Sequence, residues 1–200
     1  EAQGNGSHRL GDVYVGKVKN IVPNIGAAFI EIEKGVNCYY DMKDTAISFF
    51  TQKSGKKALC IGDELVVQIS REAVRTKAPT VTGCISFTGR YAVLTHGNTR
   101  IGVSSKIPKS LKDEYKEKLS CLRKDSYGII VRTNATDVPF QDVLDEINSL
   151  REEYESLFQT AATRKCFSCL KSEPPSYILD LKNGYLEGMK DIIIGDKGLY

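Results

Sequence analysis

The first half of the chain alternates apolar and polar positions with a period of two, which is typical of half-buried β-strands. Five segments follow this pattern, at residues 11–18, 27–32, 36–40, 62–69 and 80–87. Pro23-Asn24 and Glu33-Lys34-Gly35 supply turns, and residues 41–59 form a polar insertion with some helical character. Five strands with a longer connection after the third predict a five-stranded Greek-key barrel, the OB-fold.

Beyond Gly89 the spacing of the apolar residues changes. Residues 90–95 and 100–104, joined at Gly97-Asn98, predict a β-hairpin. Residues 127–132 are a β-rich apolar run and predict a further strand. The second half therefore contains strands that do not continue the barrel pattern.

Two helices are predicted in this second half. Residues 108–122 show helical spacing with Pro108 in the opening turn. Pro139 opens a long amphipathic helix, in which apolar residues recur every three or four positions. These residues are Val143, Leu144, Ile147, Leu150, Tyr154, Leu157 and Phe158. The pattern predicts an α+β protein with a barrel unit at 11–88, a second unit at 89–170 and the start of an incomplete third unit at 171–200.

Composition narrows the class of protein. With 41% hydrophobic and 26% charged residues, the 200-residue chain has the proportions of a soluble globular protein. It has neither an apolar run of the ~18–20 residues that span a bilayer nor an N-terminal signal pattern, so we expect a cytoplasmic protein without a membrane span. It starts at Glu1 rather than Met, and we expect an excised piece of a longer protein.

The net charge of +3 is too small for a generally polycationic nucleic-acid binder, so any basic footprint must be local. The six cysteines are irregularly spaced, which favours reduced thiols over a disulfide framework. Cys166-Phe167-Ser168-Cys169 is a lone CxxC, and His8 and His96 lie far from it in sequence. Because zinc needs about four ligands, we interpret the pair as two thiols near a helix end.

Aromatic residues in the barrel strands are candidates for stacking on nucleic-acid bases. An OB-fold binds single strands on one face by stacking bases on aromatic rings while cations contact the phosphates. The chain has no Trp, and the candidate rings are Phe29 and Tyr39, with Tyr14 as a further possibility. Candidate cations are Lys17, Lys19, Arg71, Arg75 and Lys77. The alternative is that Phe29 and Tyr14 belong to the barrel core, as aromatic residues in strands usually do.

Arg132 and Thr133 follow the apolar strand predicted in the second unit and precede a helix. An arginine offers a planar fork of donors to a phosphate, and a threonine adds a hydroxyl donor. Gly89, in the segment Gly89-Arg90-Tyr91-Ala92-Val93, permits close approach of the backbone to a ligand. The alternative is a solvated strand end.

Several motifs resemble one family. The segment Gly11-Asp12-Val13-Tyr14-Val15-Gly16-Lys17-Val18 is followed by Val22-Pro23 and Ala27-Ala28-Phe29-Ile30. Together they resemble the opening of the RNA-binding barrel of the ribonuclease E/G family, and the resemblance continues through residues 62–69. It implies that Phe29, Tyr39 and Lys77 contact RNA, with Tyr39 in place of the family's commoner Phe.

The second unit resembles the same family in its segments Gly89–Leu94 and Gly128–Thr133. The resemblance implies a pocket for a 5′-monophosphate end, in which Arg132 and Thr133 bind the phosphate and Gly89 and Val93 complete the lining. One stretch departs from the family. Ser104-Ser105-Lys106-Ile107 stands where many members carry two basic residues, so one cation is lost.

The resemblance further implies a bacterial, cytoplasmic endoribonuclease that cuts single-stranded RNA in RNA processing and decay and self-associates at full length. Its Mg²⁺, held by an aspartate pair, and its zinc, held by a cysteine pair, belong to later regions, so we expect no catalytic residue, metal or cofactor in this chain and no cleavage by it alone. Residues 171–200 resemble only the entry into a ribonuclease-H-like subdomain. Asp180, Asp191 and Asp196 are interpreted as turn and cap residues. The alternative function is a non-enzymatic RNA-binding module in translation or RNA chaperoning.

Overall fold

The computed structural model describes residues 8–55, 58–122 and 124–174. Strands of the first unit are β1 (Val13–Val22), β2 (Ala27–Glu33), β3 (Val36–Asp41), β4 (Phe50–Gln52), β5 (Glu64–Arg71) and β6 (Thr80–Thr82). Hydrogen bonds connect them in the order β1-β2-β3-β6-β5, and β5 returns to β1, so these five strands form a closed barrel. The pair β3–β6 is parallel and the others are antiparallel. This closed barrel confirms the predicted OB-like fold.

The barrel interior is filled by the alternate residues that the period of two selects. Its buried side chains include Val18, Ile30, Ile32, Cys38, Tyr40, Leu65, Val67, Ile69 and Val81. Because successive side chains of a strand point to opposite faces, the residues between them lie on the outside of the barrel. The insertion after β3 contains a short 3-10 helix, Met42–Ala46, and strand β4, which pairs with β5.

The second unit is a four-stranded sheet covered by a long helix. Its elements are β7 (Ser86–Thr88), β8 (Ala92–His96), β9 (Ile101–Val103), α1 (Lys109–Leu119), β10 (Tyr127–Val131) and α2 (Phe140–Ala161), followed by β11 (Cys169–Lys171). The strand order is β7-β8-β10-β9, and β9 and β10 are parallel. Together with the barrel, this sheet and its two helices confirm the α+β class.

The predicted hairpin of residues 90–95 and 100–104 is wrong. Strand β10 lies between β8 and β9 and pairs with both of them. The central position goes to the most apolar strand, in which only Ile130 is exposed. The connection after β8 crosses closely over Gly128, where a side chain would meet the carbonyl oxygens of Asn98 and Arg100. A glycine is therefore required at this crossing.

The predicted strand at 80–87 is divided between the two units. β6 ends at Thr82 in the barrel, and β7 starts at Ser86 in the second sheet. Gln68 of the barrel connects the units at this point, because its Nε2 donates to the carbonyls of Gly11 and Ser86 at 3.0 Å each. Its Oε1 accepts from the Ser86 backbone N–H at 2.8 Å. The two units therefore meet through satisfied polar groups as well as apolar contacts.

The long helix α2 packs its apolar face between the second sheet and the barrel. Of the seven apolar positions predicted from the sequence, all but the half-buried Leu144 are buried. Val13 and Val66, on the outside of the barrel, belong to the same apolar cluster as this helix. After α2 the chain returns to the barrel, where β11 pairs with the start of β1.

Within the described ranges, the structure contains no helix that is both long and apolar enough to cross a membrane. The predicted third unit, at 171–200, lies largely outside the described residues, as do Asp180, Asp191 and Asp196.

Candidate nucleic-acid interface

Phe29 and Tyr39 lie side by side on the outside of the barrel. They are register partners in β2 and β3, and their ring centroids are 6.4 Å apart with an interplanar angle of 86°. Both side chains are half-buried, whereas Ile30 and Tyr40, the next residues along each strand, are buried in the interior. Phe29 is therefore not a core residue, and both rings are placed where a base could contact them.

Tyr14, the further candidate for stacking, is a core residue. Its side chain is buried inside the barrel, and its hydroxyl lies 3.5 Å from Asp12 Oδ2. Burial, together with the nearby Asp12 charge, raises the pKa of Tyr14 above its ordinary value. A ring in this position cannot reach a nucleic-acid base.

A row of outward residues crosses the barrel through the two rings. Asn20 is the register partner of Phe29, Tyr39 pairs in turn with Thr80, and Thr80 with Arg71. Asn20 and Arg71 are exposed, and Thr80 is half-buried. The row thus runs across the outside of the barrel from a polar end at Asn20 to a cationic end at Arg71.

Lys77 belongs to a tight loop that ends beside Tyr39. Val74 and Lys77 exchange backbone hydrogen bonds of 3.2 and 2.9 Å, with Arg75 between them in the left-handed region at φ 54°. The Pro79 carbonyl then accepts from the Tyr39 backbone N–H at 2.8 Å. The loop is thus anchored two residues after Lys77, next to the aromatic pair.

The five candidate cations differ in their surroundings. Lys17 forms an ion pair with Glu64 at 3.3 Å, and Lys19 forms one with Glu31 at 3.1 Å. The Gly35 backbone N–H and the Lys19 ammonium lower the pKa of Glu31. The other three, Arg71, Arg75 and Lys77, are exposed and form no ion pair within the described ranges. Arg71 is the last residue of β5, and Arg75 and Lys77 belong to the loop between β5 and β6.

The four residues predicted for a phosphate pocket meet at one end of the second sheet. The Arg132 backbone N–H donates to the Tyr91 carbonyl at 2.7 Å, and its Nη1 donates to the Gly89 carbonyl. Val93 is the register partner of Ile130, two residues before Arg132. These contacts bring Gly89 and Val93 next to the strand end that carries Arg132 and Thr133.

The stretch that departs from the family motif contacts Thr133 directly. The Ser104 and Thr133 hydroxyl oxygens lie 3.0 Å apart, and the Ser104 backbone N–H donates to the Val131 carbonyl at 2.9 Å. Lys106 is exposed in the following turn. Ser104 thus holds the Thr133 hydroxyl in place, although one cation of the family motif is missing from this stretch.

The Arg132 guanidinium retains donors for a ligand. In the part of the chain that the structure describes, its side chain makes one hydrogen bond, to the neutral Gly89 carbonyl, and no ion pair with a carboxylate. A guanidinium has five N–H donors in a fixed fork, so one bond orients the group without using up its capacity. The charge is therefore available to an incoming anion.

Glu146 of α2 holds the segment next to these candidate residues, and it is not among the residues predicted from the sequence. Its Oε2 accepts from the Arg90 backbone N–H at 2.8 Å, and its Oε1 accepts from those of Tyr91 and Ala92 at 2.7 and 2.8 Å. A side chain at Gly89 would collide with this carboxylate. The signal was in the helix periodicity, because Glu146 lies three residues after buried Val143 and therefore beside the apolar stripe.

Metal-ligating residues do not converge in the described ranges, which contain no group of three or more His, Cys, Asp or Glu placed to hold a metal ion. Cys166 lies between α2 and β11, and Cys169 is the first residue of β11. The intervening Phe167 and Ser168 exchange backbone hydrogen bonds with Val15. Burial raises the pKa of Cys166 to about 11. Both cysteines are free thiols.

Comparisons with known proteins agree with the sequence motifs. Residues 86–200 match the model of the Ribonuclease E/G family. Over 193 residues the chain is 30% identical to Ribonuclease E of Synechocystis sp., a match that covers 94% of this chain and 29% of that relative. It is 26% identical to a Ribonuclease E/G-like protein of Porphyra purpurea, with 95% of this chain and 38% of the relative covered.

A third relative is Ribonuclease E of Escherichia coli, 28% identical over 162 residues that cover 76% of this chain and 15% of the relative. The chain thus spans well under half the length of the curated relatives it matches.

Proposed function

Because the chain belongs to the ribonuclease E/G family, we propose that it is the part of a larger cytoplasmic, bacterial-type endoribonuclease that binds single-stranded RNA and senses its 5′ end. The barrel unit, at 11–88, holds the strand. The second unit, at 89–170, holds a 5′-monophosphate. Residues 171–200 begin a ribonuclease-H-like subdomain, and the full-length protein self-associates and acts in RNA processing and decay.

The barrel supports the first half of this proposal through its outward row of residues. Phe29 and Tyr39 present aromatic surface beside the loop that carries Lys77. Stacking on an aromatic side chain contributes about 1–3 kcal/mol per base and tolerates any base. RNA held this way is bound without regard to its sequence, which suits a protein that acts on many transcripts.

The residues around Arg132 support the second half of the proposal, the binding of a 5′-monophosphate. The observation on which this half depends is the orientation of the Arg132 guanidinium. The Gly89 carbonyl fixes the guanidinium, while the Thr133 hydroxyl is held by Ser104, the residue after β9. A terminal monophosphate carries more charge than an internal phosphodiester and has free oxygens for a fork of donors. The pocket thereby distinguishes an end from the middle of a strand, and a triphosphate needs room that a tight pocket denies.

The described residues contain no carboxylate cluster for the Mg²⁺ that the family resemblance implies. When bound, such a metal activates water and stabilises the charge of the transition state. As the family resemblance implies, we assign hydrolysis to a domain of the full-length protein that follows the sensor unit, with zinc held by a later cysteine pair. The chain by itself is expected to bind RNA without cutting it.

The experiment is a titration of the chain with one single-stranded oligonucleotide bearing a 5′-monophosphate, a 5′-hydroxyl or a 5′-triphosphate. The monophosphate should bind most tightly, and Arg132→Ala should abolish its advantage over the hydroxyl. Arg132→Lys keeps the charge but loses the fork, so it should retain only part of the advantage. Arg164→Ala, which removes an exposed arginine after α2, is the matched control.

Equal affinities for the three ends, unaffected by Arg132→Ala, would instead favour a non-enzymatic RNA-binding module in translation or RNA chaperoning.

A further inference from the structure

We propose that Glu146 is a positioning residue of the phosphate pocket, which fixes the turn at Gly89–Ala92 and through it the Arg132 guanidinium. The inference rests on the proposed function of that pocket. Glu146 belongs to helix α2 and is separated by more than 50 residues from the turn it holds. It does not contact the phosphate in this proposal and acts through Arg132.

Three consecutive backbone N–H groups converge on the Glu146 carboxylate. Those of Tyr91 and Ala92 donate to Oε1, and that of Arg90 donates to Oε2, all within 2.7–2.8 Å. Bonds to an ionised acceptor are shorter and stronger than those between neutral groups. The carboxylate thus holds three successive peptide units in one arrangement, and no side chain of the turn itself could do so.

Helix α2, which carries the Glu146 carboxylate, is held rigidly by the core of the second unit. Val143, Ile147 and Leu150, which surround Glu146 on α2, are all buried in the apolar core of the second unit. Because protein cores are packed as densely as crystals of small molecules, the helix cannot shift without disturbing that core. The position of the turn is therefore set by α2 and not by the local chain.

The turn carries the two carbonyls to which Arg132 donates hydrogen bonds. The Gly89 carbonyl accepts from Nη1, and the Tyr91 carbonyl accepts from the Arg132 backbone N–H. A displacement of the turn therefore moves the guanidinium away from Thr133. Small misplacements of a positioned group have large effects on binding. Loss of the Glu146 contacts should therefore weaken binding of the 5′-monophosphate.

A purely electrostatic role for Glu146 predicts the opposite result. A carboxylate near a phosphate site repels the ligand, and removal of its charge should then tighten binding. In Glu146→Gln one side-chain oxygen still accepts hydrogen bonds, but the new amide NH₂ opposes a backbone N–H, so that part of the turn must shift. The positioning role predicts weaker binding in spite of the lost negative charge.

The test compares wild type, Glu146→Gln, Glu146→Asp and the control Glu152→Gln, which removes the same charge from an exposed position on the same helix. Two affinities are measured, for 5′-monophosphorylated and 5′-hydroxyl forms of one single-stranded RNA. Glu146→Gln should reduce the preference for the monophosphate roughly tenfold while affinity for the hydroxyl form stays unchanged. Glu146→Asp keeps the anion and should retain more of the preference.

Amide hydrogen exchange provides a readout that does not depend on RNA. Exchange at Arg90, Tyr91 and Ala92 should accelerate in Glu146→Gln and not in Glu152→Gln. If the wild-type chain discriminates between the two ends and Glu146→Gln discriminates equally well or better, the positioning role of Glu146 is wrong. The proposed binding of a 5′-monophosphate near Arg132 is then still supported. If the wild type does not discriminate, the proposed function fails and the inference with it, whatever the exchange rates are.

Discussion

The ring of Tyr39 meets the ring of Phe29 nearly at a right angle on the outside of the barrel, with centroids 6.4 Å apart. Edge-to-face pairs of this kind are favourable, and they hold both rings in defined orientations. One base cannot lie flat on two perpendicular rings at once. If both residues contact RNA as proposed, each ring is therefore expected to stack on a different base.

Phe29→Ala should weaken binding of a 5′-hydroxyl single-stranded RNA by about 1–3 kcal/mol, because one stacking surface is lost. Fluorescence anisotropy measures the affinity, and thermal denaturation shows whether the barrel remains folded. The melting temperature should change little, since the ring is half-buried on the outer face.

Phe140→Ala serves as the control, because it removes a half-buried ring of the second unit that contacts Tyr115. A collapse of the melting temperature in Phe29→Ala would show that the ring is needed by the barrel itself.

Lys77→Gln should make RNA binding less sensitive to salt. Each phosphate neutralised by a cation contributes about −0.7 to the slope of log affinity against log salt for a single strand. Loss of one contact should therefore reduce the slope by about 0.7, which titrations at several salt concentrations measure. Lys116→Gln, at an exposed position of α1, should leave the slope unchanged. Equal slopes for the two variants would show that Lys77 does not contact a phosphate of the bound RNA.

Ser104→Ala should weaken binding of the 5′-monophosphorylated form selectively. The Thr133 hydroxyl loses the partner that lies 3.0 Å away, so its orientation toward a phosphate is no longer fixed. A single hydrogen bond between neutral groups contributes about 0.5–1.5 kcal/mol, and the loss in affinity should fall in this range. The hydroxyl form is the internal control, and an equal loss for both forms would contradict the proposed contact.

Asp63→Asn should destabilise the barrel by about 2 kcal/mol at neutral pH, because charge-assisted hydrogen bonds to a buried carboxylate are lost. Asp63 is fully buried and accepts from the Ser54 and Cys60 backbone N–H groups at 2.7 and 2.9 Å. Burial raises its pKa, but these bonds and Lys53 outweigh it, so the net pKa is lowered. Urea denaturation measures the difference.

Because the pKa of Asp63 is lower in the folded than in the unfolded chain, this contribution is present above the unfolded value and is lost as the pH falls through the folded value. The difference between wild type and Asp63→Asn should therefore shrink in strong acid. Asp113→Asn, at an exposed position of α1, should cost little at any pH.

The free energy of unfolding should decrease as the pH falls below about 6.5, the ordinary pKa of histidine, because of His96. Its Nδ1 lies 2.9 Å from the Tyr154 hydroxyl, its ring centroid lies 4.6 Å from that of Phe158, and burial lowers its pKa. The unfolded chain thus takes up a proton at a pH where the folded chain does not. Denaturation at a series of pH values should show a flatter profile for His96→Gln; identical profiles would contradict this assignment.

Local patterns predicted most of the elements. The period of two located the barrel strands, and the spacing from Val143 to Phe158 located α2, because both signals depend only on residues close together in sequence. The same patterns could not show that Tyr14 lies in the barrel core and Phe29 on its outside. Both are aromatic residues within strands, and only closure of the barrel decides which one points inward.

The prediction of a hairpin at residues 90–95 and 100–104 was wrong for a similar reason. The turn residues Gly97-Asn98 are a local signal, whereas the insertion of β10 between β8 and β9 is a pairing between distant segments. Glu146 is a further case. The helix periodicity places it beside the apolar stripe, but it does not indicate that the distant backbone groups of Arg90, Tyr91 and Ala92 will donate to it.

The sequence by itself determined most of the strands, the two helices and the residue types that carry the proposed chemistry. It also determined the family, because the motifs around Phe29 and Arg132 are read without coordinates. The tertiary structure alone decided which side chains meet: the aromatic pair, Thr133 with Ser104, and Arg132 with a turn held by Glu146. The physical reason is that strand pairing and helix docking join residues far apart along the chain, and those contacts are fixed by packing of the whole core and not by local preference.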